Sequence, residues 1–172
     1  NLLRTWLLAA WQDGLVAATP PRAEGFADLQ MCLWILQIRG IPFGNCLLIS
    51  DGPVNNSTGI PFFYVTLKDN VVVDLPKDPV ASLTLPEADG NFCRKNVVDP
   101  EDPRCARLTL TGQMVTVPPE EREFAKQAMF SRHLVIRKWP CSYEWFFMKM
   151  NIEHIWLLSW YGGVSAVPEK ST

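Results

Sequence analysis

The segment SDGPVNNSTGIPFFY, residues 50–64, contains two overlapping signals for attachment of an N-linked glycan. Asn55-Asn56-Ser57 and Asn56-Ser57-Thr58 both satisfy the N-x-[ST] rule. Asn56 is the better candidate, because Thr58 completes the stronger acceptor sequence and two adjacent glycans are not expected together. If the signals are used, the chain folds along the oxidising secretory route. If they are not used, the segment is a turn in an intracellular domain.

Cysteine is the second residue type that could do chemistry, and the chain has five. Cys93 and Cys105 enclose a polar, proline-rich loop, CRKNVVDPEDPRC. A bridge between them would contribute roughly 3 kcal/mol by the loop-closure model, and two unpaired buried thiols fit the residues equally well. The sequence assigns no partner to Cys32, Cys46 or Cys141. There is no C-x-x-C motif and the two histidines are isolated, so no metal site is expected.

The sequence contains none of the common catalytic motifs: no G-x-G-x-x-G, Walker loop, H-E-x-x-H or G-x-S-x-G. Ser50 and Asp51 with a distant histidine make the residue set of a triad, but Ser-Asp-Gly-Pro is typical of a turn. His133 at a predicted helix end is expected to interact with the helix dipole, and His154 between apolar neighbours is typical of a sheet residue. No catalytic or cofactor-binding residue is predicted.

Composition limits the function classes further. The chain has 172 residues, of which 48% are hydrophobic, enough for one domain with its own core. A net charge of −2 gives little support for binding nucleic acid through phosphate contacts. No apolar run reaches the ~18–20 residues that a membrane-spanning helix needs, so no membrane span is predicted.

The elements that would position these residues are mostly strands. Alternating apolar residues predict four of them, followed by two aromatic strands that are either one long bent strand or a hairpin. The predicted strands are 43–50, 60–67, 80–85, 106–117 with a bulge at Gly112, 145–150 and 155–160. A short helix or turn is expected within 68–77, and an amphipathic helix from the Pro118-Pro119 pair to Arg132-His133. This pattern indicates an α+β protein with a small barrel.

Aromatic residues concentrate near the C-terminal end of the sequence. This group comprises Trp139, Trp145, Trp156, Trp160 and Tyr161. Core packing explains some of this aromatic area, and aromatic side chains that point outward from a sheet would indicate a dimer interface. The residues favour neither alternative.

Several segments together resemble the CREG family, the cellular repressors of adenovirus early-gene-stimulated transcription, and look most like its second vertebrate paralogue. They occur in the family's order between about Gly40 and Gly163. The segments are GIPFGN, SDGP, STGIPFFY, ASLTL, FCRKNVVDPEDPRC, LTGQMVTV, AKQAMFSRH, KWP, WFFMKMNIEHIW and WYGG. Agreement in order and spacing across so many segments makes the resemblance specific.

The resemblance implies a split β-barrel of the FMN-binding oxidase type, with six or so mostly antiparallel strands and a few short helices. It implies a homodimer that has lost flavin binding and oxidase activity. It further implies a non-enzymatic secreted or endolysosomal glycoprotein that binds receptors or partners in growth and differentiation control. Glycan-dependent contact with the cation-independent mannose-6-phosphate receptor belongs to the same set of expectations. Cys93 and Cys105 match family positions, which favours the bridge in an oxidising compartment.

The alternative is an FMN- or haem-binding oxidoreductase of the pyridoxamine-phosphate-oxidase-like superfamily, because the same fold serves both functions. A flavin phosphate needs basic side chains and backbone donors along the barrel strands. The strand at 106–117 offers Arg107 as its one basic residue, and the strand at 43–50 offers none. The flavin alternative is therefore less favoured.

Residues 1–39 depart from the family. The family has a Trp-Gly-Ala-Leu-Ala-Thr strand upstream of the position of Gly40, and this chain lacks it. We therefore predict three parts: an atypical segment at 1–39 that is either partly disordered or wrongly assigned, a CREG-like domain at 40–167 and a tail at 168–172. Either MCLWILQ (31–37) takes the place of the first strand, or this end derives from a faulty gene model or an alternative exon. A missing strand would leave an open barrel edge.

Overall fold

The computed structural model describes residues 31–38, 41–86, 102, 105–159 and 163–166. The tail at 168–172, Cys93, Trp160 and Tyr161 lie outside the described residues, as does the segment before residue 31.

Eight strands and two α-helices make up the described part of the chain. The strands are β1 (Met31–Ile38), β2 (Ile41–Leu47), β3 (Ile49–Ser50), β4 (Phe62–Thr66), β5 (Val80–Pro86), β6 (Arg107–Thr116), β7 (Trp145–Ser159) and β8 (Gly163–Ala166). The helices are α1 (Asn70–Asp74) and α2 (Arg122–Arg132), and α2 lies between two 3-10 turns, Pro119–Glu121 and Leu134–Lys138. Each predicted strand and helix is present, but the strand predicted at 43–50 is divided into β2 and β3, and α2 begins at Arg122 after a 3-10 turn. The two aromatic strands are one long strand, β7.

The strands form one antiparallel sheet in the order β2-β1-β5-β6-β7-β4-β3, with β8 paired to β7 beyond β4. Leu48 alone separates β2 from β3 in the sequence, although they stand at opposite ends of this order. The 41–50 stretch therefore pairs with β1 through its first half and with β4 through its second. This shared stretch closes the sheet into a small barrel, which confirms the α+β prediction.

β1 supplies the strand that the sequence seemed to lack. MCLWILQI pairs with β2 from Met31↔Leu47 to Ile38↔Ile41 and with β5 from Cys32↔Thr84 to Trp34↔Ser82. Because β1 joins β2 to β5, the sheet continues across the position where an open edge was expected. Residues 31–38 thus form a strand of the sheet between β2 and β5.

Two clusters of buried hydrophobic side chains form the core. The larger includes inward-facing residues of the sheet and two valines of α1, among them Phe63, Val65, Val71, Val72, Leu83, Leu110, Met114 and Met150. The smaller joins α2 and the turn after it to one end of the sheet, through Phe62, Val117, Ala125, Ala128, Met129 and Ile136. The helical spacing of the α2 residues explains why this helix has one apolar face. Among the described residues, no helix has the length and apolarity to cross a membrane.

Gly112 lies at the predicted irregularity in the pairing of β6 with β7, and the extra residue, Glu153, is on β7. The pairing of β6 with β7 shifts register between Thr111 and Gly112, where Thr111 lies opposite His154 and Gly112 opposite Ile152. A Cβ atom at Gly112 would lie 2.0 Å from the backbone oxygen of Asn151. Backbone atoms of the partner strand cannot move aside as a flexible side chain can, so this position requires glycine.

We expect Gly112→Ala to lower the free energy of unfolding by about 1–3 kcal/mol, because the added methyl group forces the two longest strands apart. Denaturant unfolding followed by circular dichroism measures the change. The matched control is Gln113→Ala, whose exposed side chain bonds Glu153; it should change stability by less than about 0.5 kcal/mol. Equal stability of the two variants would contradict the close approach.

Candidate functional site

The loop between β3 and β4 carries both candidate glycosylation residues at its exposed tip. Asn55 and Asn56 are exposed, whereas Ser57 is only 6% exposed. Asn55 has a backbone φ of 71°, in the left-handed region that asparagine tolerates better than most residues. A turn is closed by the bond from Asn56 N–H to the carbonyl of Pro53, 2.9 Å. The loop therefore presents the two asparagine residues to solvent in one ordered turn.

The hydroxyl groups of Ser57 and Thr58, which complete the two glycosylation signals, also have a structural role. Ser57 Oγ donates a hydrogen bond to the carboxylate of Asp51. Thr58 Oγ1 donates to the backbone carbonyl of Asp51 at 2.6 Å, and Thr58 N–H donates to the same oxygen at 2.8 Å. Asp51 therefore organises the loop through both its carboxylate and its backbone carbonyl, and replacing either hydroxyl would alter the fold as well as the glycosylation signal.

Asp51 is paired with Arg132 from the last turn of α2. Their side chains are 4% and 3% exposed, and Arg132 Nη2 lies 3.7 Å from Asp51 Oδ1. Arg132 also donates to two loop carbonyls, from Nε to Gly52 at 2.5 Å and from Nη2 to Pro53 at 3.0 Å. Burial lowers the pKa of Arg132 to about 10, and Asp51 partly offsets this by favouring the charged guanidinium.

The triad residues that the sequence suggested do not meet as a triad. Ser50 Oγ donates to the carbonyl of Gly52 at 2.9 Å, and the Nε2 atom of His133 lies 2.6 Å from the carbonyl of Ile49. The segment is the turn that Ser-Asp-Gly-Pro predicts. His133 therefore links the end of α2 to β3 by a backbone contact, in addition to its N–H bond to Met129 within the helix end.

A cluster of aromatic rings forms the second feature of the surface. Tyr64 is stacked against Trp145, with ring centroids 5.2 Å apart and planes 19° from parallel. Trp139 lies 4.7 Å from Trp145 and 6.2 Å from Tyr64. Trp145 Nε1 donates to the carbonyl of Pro140 at 2.8 Å, which holds its ring in place. The pKa of Tyr64 is raised, first by burial and then by the Coulombic effect of Cys141.

Two clefts lie on either side of these rings. The first has a volume of about 300 Å³ and is lined by the three rings, by apolar side chains including Leu47 and by the carboxylate residue Asp69. The second has a volume of about 350 Å³ and is lined by the same three rings and by Arg137. One aromatic cluster thus borders a cleft with an acidic residue and a cleft with a basic one.

Cys105 is 3% exposed and lies two residues before β6. Its predicted partner Cys93 is outside the described residues, and the Cys93–Cys105 bridge stays a prediction. Cys141 is exposed beside the second cleft. The register of β1 with β2 places Cys32 opposite Cys46. Within the described ranges, no three His, Cys, Asp or Glu side chains gather as a metal site would require.

A family model described as the CREG β-barrel matches residues 32–171. The chain belongs to the CREG family. Mouse protein CREG2 is 74% identical to this CREG chain over 134 residues, which cover 78% of the chain and 46% of that protein. Human protein CREG2 is 62% identical over 172 residues (92% and 59%), and human protein CREG1 is 40% identical over 134 residues (77% and 61%). The chain spans about half the length of the CREG2 proteins it matches.

Solved structures confirm the split-barrel fold of this CREG chain. A heme binding protein from Mycobacterium smegmatis aligns with a TM-score of 0.65 at 16% identity, covering 82% of this chain and 53% of that one. A protein of unknown function from Agrobacterium tumefaciens aligns with a TM-score of 0.58 at 20% identity, covering 76% and 50%. At these identities the likeness establishes the fold and carries no ligand or activity to this chain.

The described lining of these two clefts offers few of the groups that would hold a flavin phosphate or a haem iron. The first cleft has Asp69 as its one charged residue among the described lining residues, and the second has a single cation, Arg137. A phosphate is held by several convergent donors. The two histidines that could ligate iron, His133 and His154, line neither cleft in the described part of the chain.

Sequence patterns alone do not reveal the Asp51–Arg132 pair or the ring cluster. In the sequence, Asp51 is typical of a turn. Arg132 is typical of a basic residue in the last turn of a helix, where the side chain is ordinarily exposed to solvent. Tyr64 is 75 residues or more from the two tryptophans it contacts. The concentration of tryptophan was a signal for an aromatic surface, but it did not identify Tyr64 as its centre.

We expect Arg132→Met to lower the free energy of unfolding by about 3–5 kcal/mol, because it leaves the buried carboxylate of Asp51 uncompensated. Denaturant unfolding measures the loss. Arg122→Met, at an exposed position of the same helix, is the matched control and should cost less than about 0.5 kcal/mol.

A double-mutant cycle tests whether the loss comes from the pair. Asp51→Asn removes the charge but can still accept a hydrogen bond from Ser57. The double variant should therefore lose about 1–3 kcal/mol less unfolding free energy than the two single variants lose together. Additive losses would show that Arg132 acts through its carbonyl contacts alone.

Proposed function

We propose that this CREG family chain is a non-enzymatic, secreted or endolysosomal glycoprotein that acts by binding receptors or partners in growth and differentiation control. The observation that carries the proposal is the loop at 51–59, whose exposed Asn55 and Asn56 are presented by a buried ion pair and a set of backbone bonds. A loop whose order is maintained by an interior pair offers a fixed surface from which an attached glycan can project.

The CREG2 relatives are longer than this chain. The part of the chain that matches mouse CREG2 covers 46% of that protein, so the activity of the whole protein is a proposal. Attachment of a glycan at Asn56 would allow glycan-dependent contact with the mannose-6-phosphate receptor. A bridge between Cys93 and Cys105 would suit the same oxidising compartment.

The absence of catalysis is the other half of the proposal. Side-chain atoms of Ser50, Asp51 and His133 make hydrogen bonds to groups of the loop and of β3. The charges that border the two clefts also give little support to the flavin alternative. Function by binding therefore agrees better with the chemistry of the described residues than function by oxidation.

We expect the protein expressed in animal cells to lose apparent mass on digestion with peptide-N-glycosidase. In Asn56→Gln, occupancy should fall and the residual glycan should move to Asn55, because Asn55 still has Ser57 two positions after it and so keeps an acceptor signal. Asn55→Asp keeps the Asn56 signal and a residue that tolerates positive φ, so it should remain glycosylated.

Mass spectrometry of the peptide deglycosylated in ¹⁸O water locates the site. The double variant Asn55→Asp with Asn56→Gln should show no mobility shift, while its thermal unfolding midpoint should stay near that of the enzymatically deglycosylated protein. Wild-type protein that is secreted without any shift on digestion would remove the central support for the proposed function.

We further propose a homodimer that uses the outer face of β7. Trp156 is 38% exposed on that strand and its ring lies 6.4 Å from that of His154. A large aromatic side chain on an open sheet face is typical of an interface core.

Trp156→Glu is therefore expected to convert a dimer into a monomer in sedimentation equilibrium. Tyr143→Glu is the control, since Tyr143 is 42% exposed beside the second cleft and should leave the dimer intact. A dimer that survives Trp156→Glu would place the interface elsewhere.

A further inference from the structure

We propose that the first cleft, bordered by Tyr64, Trp139, Trp145 and Asp69, is a binding site for a small organic cation of the alkylammonium class. Aromatic rings attract cations through the negative potential of their faces, at distances up to about 6 Å from the ring centroid. Three ring centroids lie within 6.2 Å of one another here. All three rings line the cleft, so an ammonium group bound there would lie beside aromatic side chains. This site is independent of the proposed function.

Asp69 supplies the complementary charge. It is the one charged residue among the described residues that line this cleft. Its carboxylate accepts two hydrogen bonds, from the side-chain amide of Asn45 at 2.8 Å and from the N–H of Val71 at 3.0 Å. A carboxylate has about four acceptor positions, so these two bonds fix its orientation and leave acceptor capacity and negative charge for a ligand.

The rings are held in place before any ligand arrives. The indole N–H of Trp145 is bonded to the carbonyl of Pro140, and Tyr64 is packed between Phe130 and Phe147 at centroid distances of 5.4 and 4.8 Å. A preformed wall loses little conformational entropy on binding. The remainder of the wall is largely apolar, with Leu47, Leu48 and Val65, which suits the methyl groups of an alkylammonium ion.

Size and charge select among ligands. A volume of about 300 Å³ is at the small end of ligand pockets, which favours a compact group such as trimethylammonium. An anion would meet the carboxylate of Asp69 without a basic partner among the described lining residues. The second cleft is lined by the same three rings but has Arg137 in place of a carboxylate. Because its charged residue is basic, the second cleft should not bind a cation and can be compared with the first.

Choline and its neutral isostere 3,3-dimethylbutan-1-ol test the proposal, because they differ in charge and hardly in shape. Ligand-observed NMR with the full chain should give a dissociation constant on the order of 1 mM for choline and at least about tenfold weaker binding for the alcohol. Equal affinities, or no choline binding at tens of millimolar, would overturn the proposal.

Three variants locate the site. Asp69→Asn should weaken choline binding about tenfold while keeping α1 intact, because asparagine is an equally good N-cap. Trp139→Leu should weaken it to a similar extent by removing a ring. Arg137→Gln, which alters the second cleft alone, should leave choline binding unchanged. A thermal unfolding midpoint close to wild type shows that Asp69→Asn is folded, so unchanged affinity in that variant counts against the site.

Discussion

The buried ion pair between Asp51 and Arg132 is the interaction on which the organisation of this surface depends. Removing two charges from water is costly, and the attraction between them offsets the cost only when further polar atoms complete their surroundings. Here the guanidinium bonds two loop carbonyls and the carboxylate accepts from Ser57. The loop, the last turn of α2 and the end of β3 are therefore held as one unit, since separating any of them would leave a charge buried without its partner.

The residues of the glycosylation signals also take part in the contacts around this ion pair. In an unstructured segment, Ser57 and Thr58 would serve as acceptor residues and nothing more. In the folded chain their hydroxyls bond Asp51, while the neighbouring asparagines stay at the surface. A glycan would be attached to an asparagine side chain, whereas the contacts of the folded loop use the hydroxyls of Ser57 and Thr58. The two roles therefore use different side chains of the same short segment. Substitution of the asparagines is consequently the cleaner way to separate the two roles.

The barrel includes β1, which lies upstream of the segments that resemble the family. Pairing of β1 with both β2 and β5 depends on backbone hydrogen bonds, which many sequences can provide. MCLWILQI forms these pairs although nearly all of its residues are apolar and do not alternate with polar ones. The long strand β7 pairs with β4, β6 and β8 along its length and so holds the sheet together on the other side.

Strands β2 to β7, the pairing irregularity at Gly112 and the helix α2 were predictable from the sequence, because alternation, proline placement and helical spacing are local signals. Strand β8 was not predicted, and β1 was only one of two alternatives for its segment. The family, too, was recognisable from short segments in order. The partner of Asp51 and the convergence of Tyr64 with Trp139 and Trp145 were decided by the tertiary structure alone. Barrel closure brings together residues that are 75 or more positions apart, and no local pattern encodes which charges and rings will meet once water is excluded from between them.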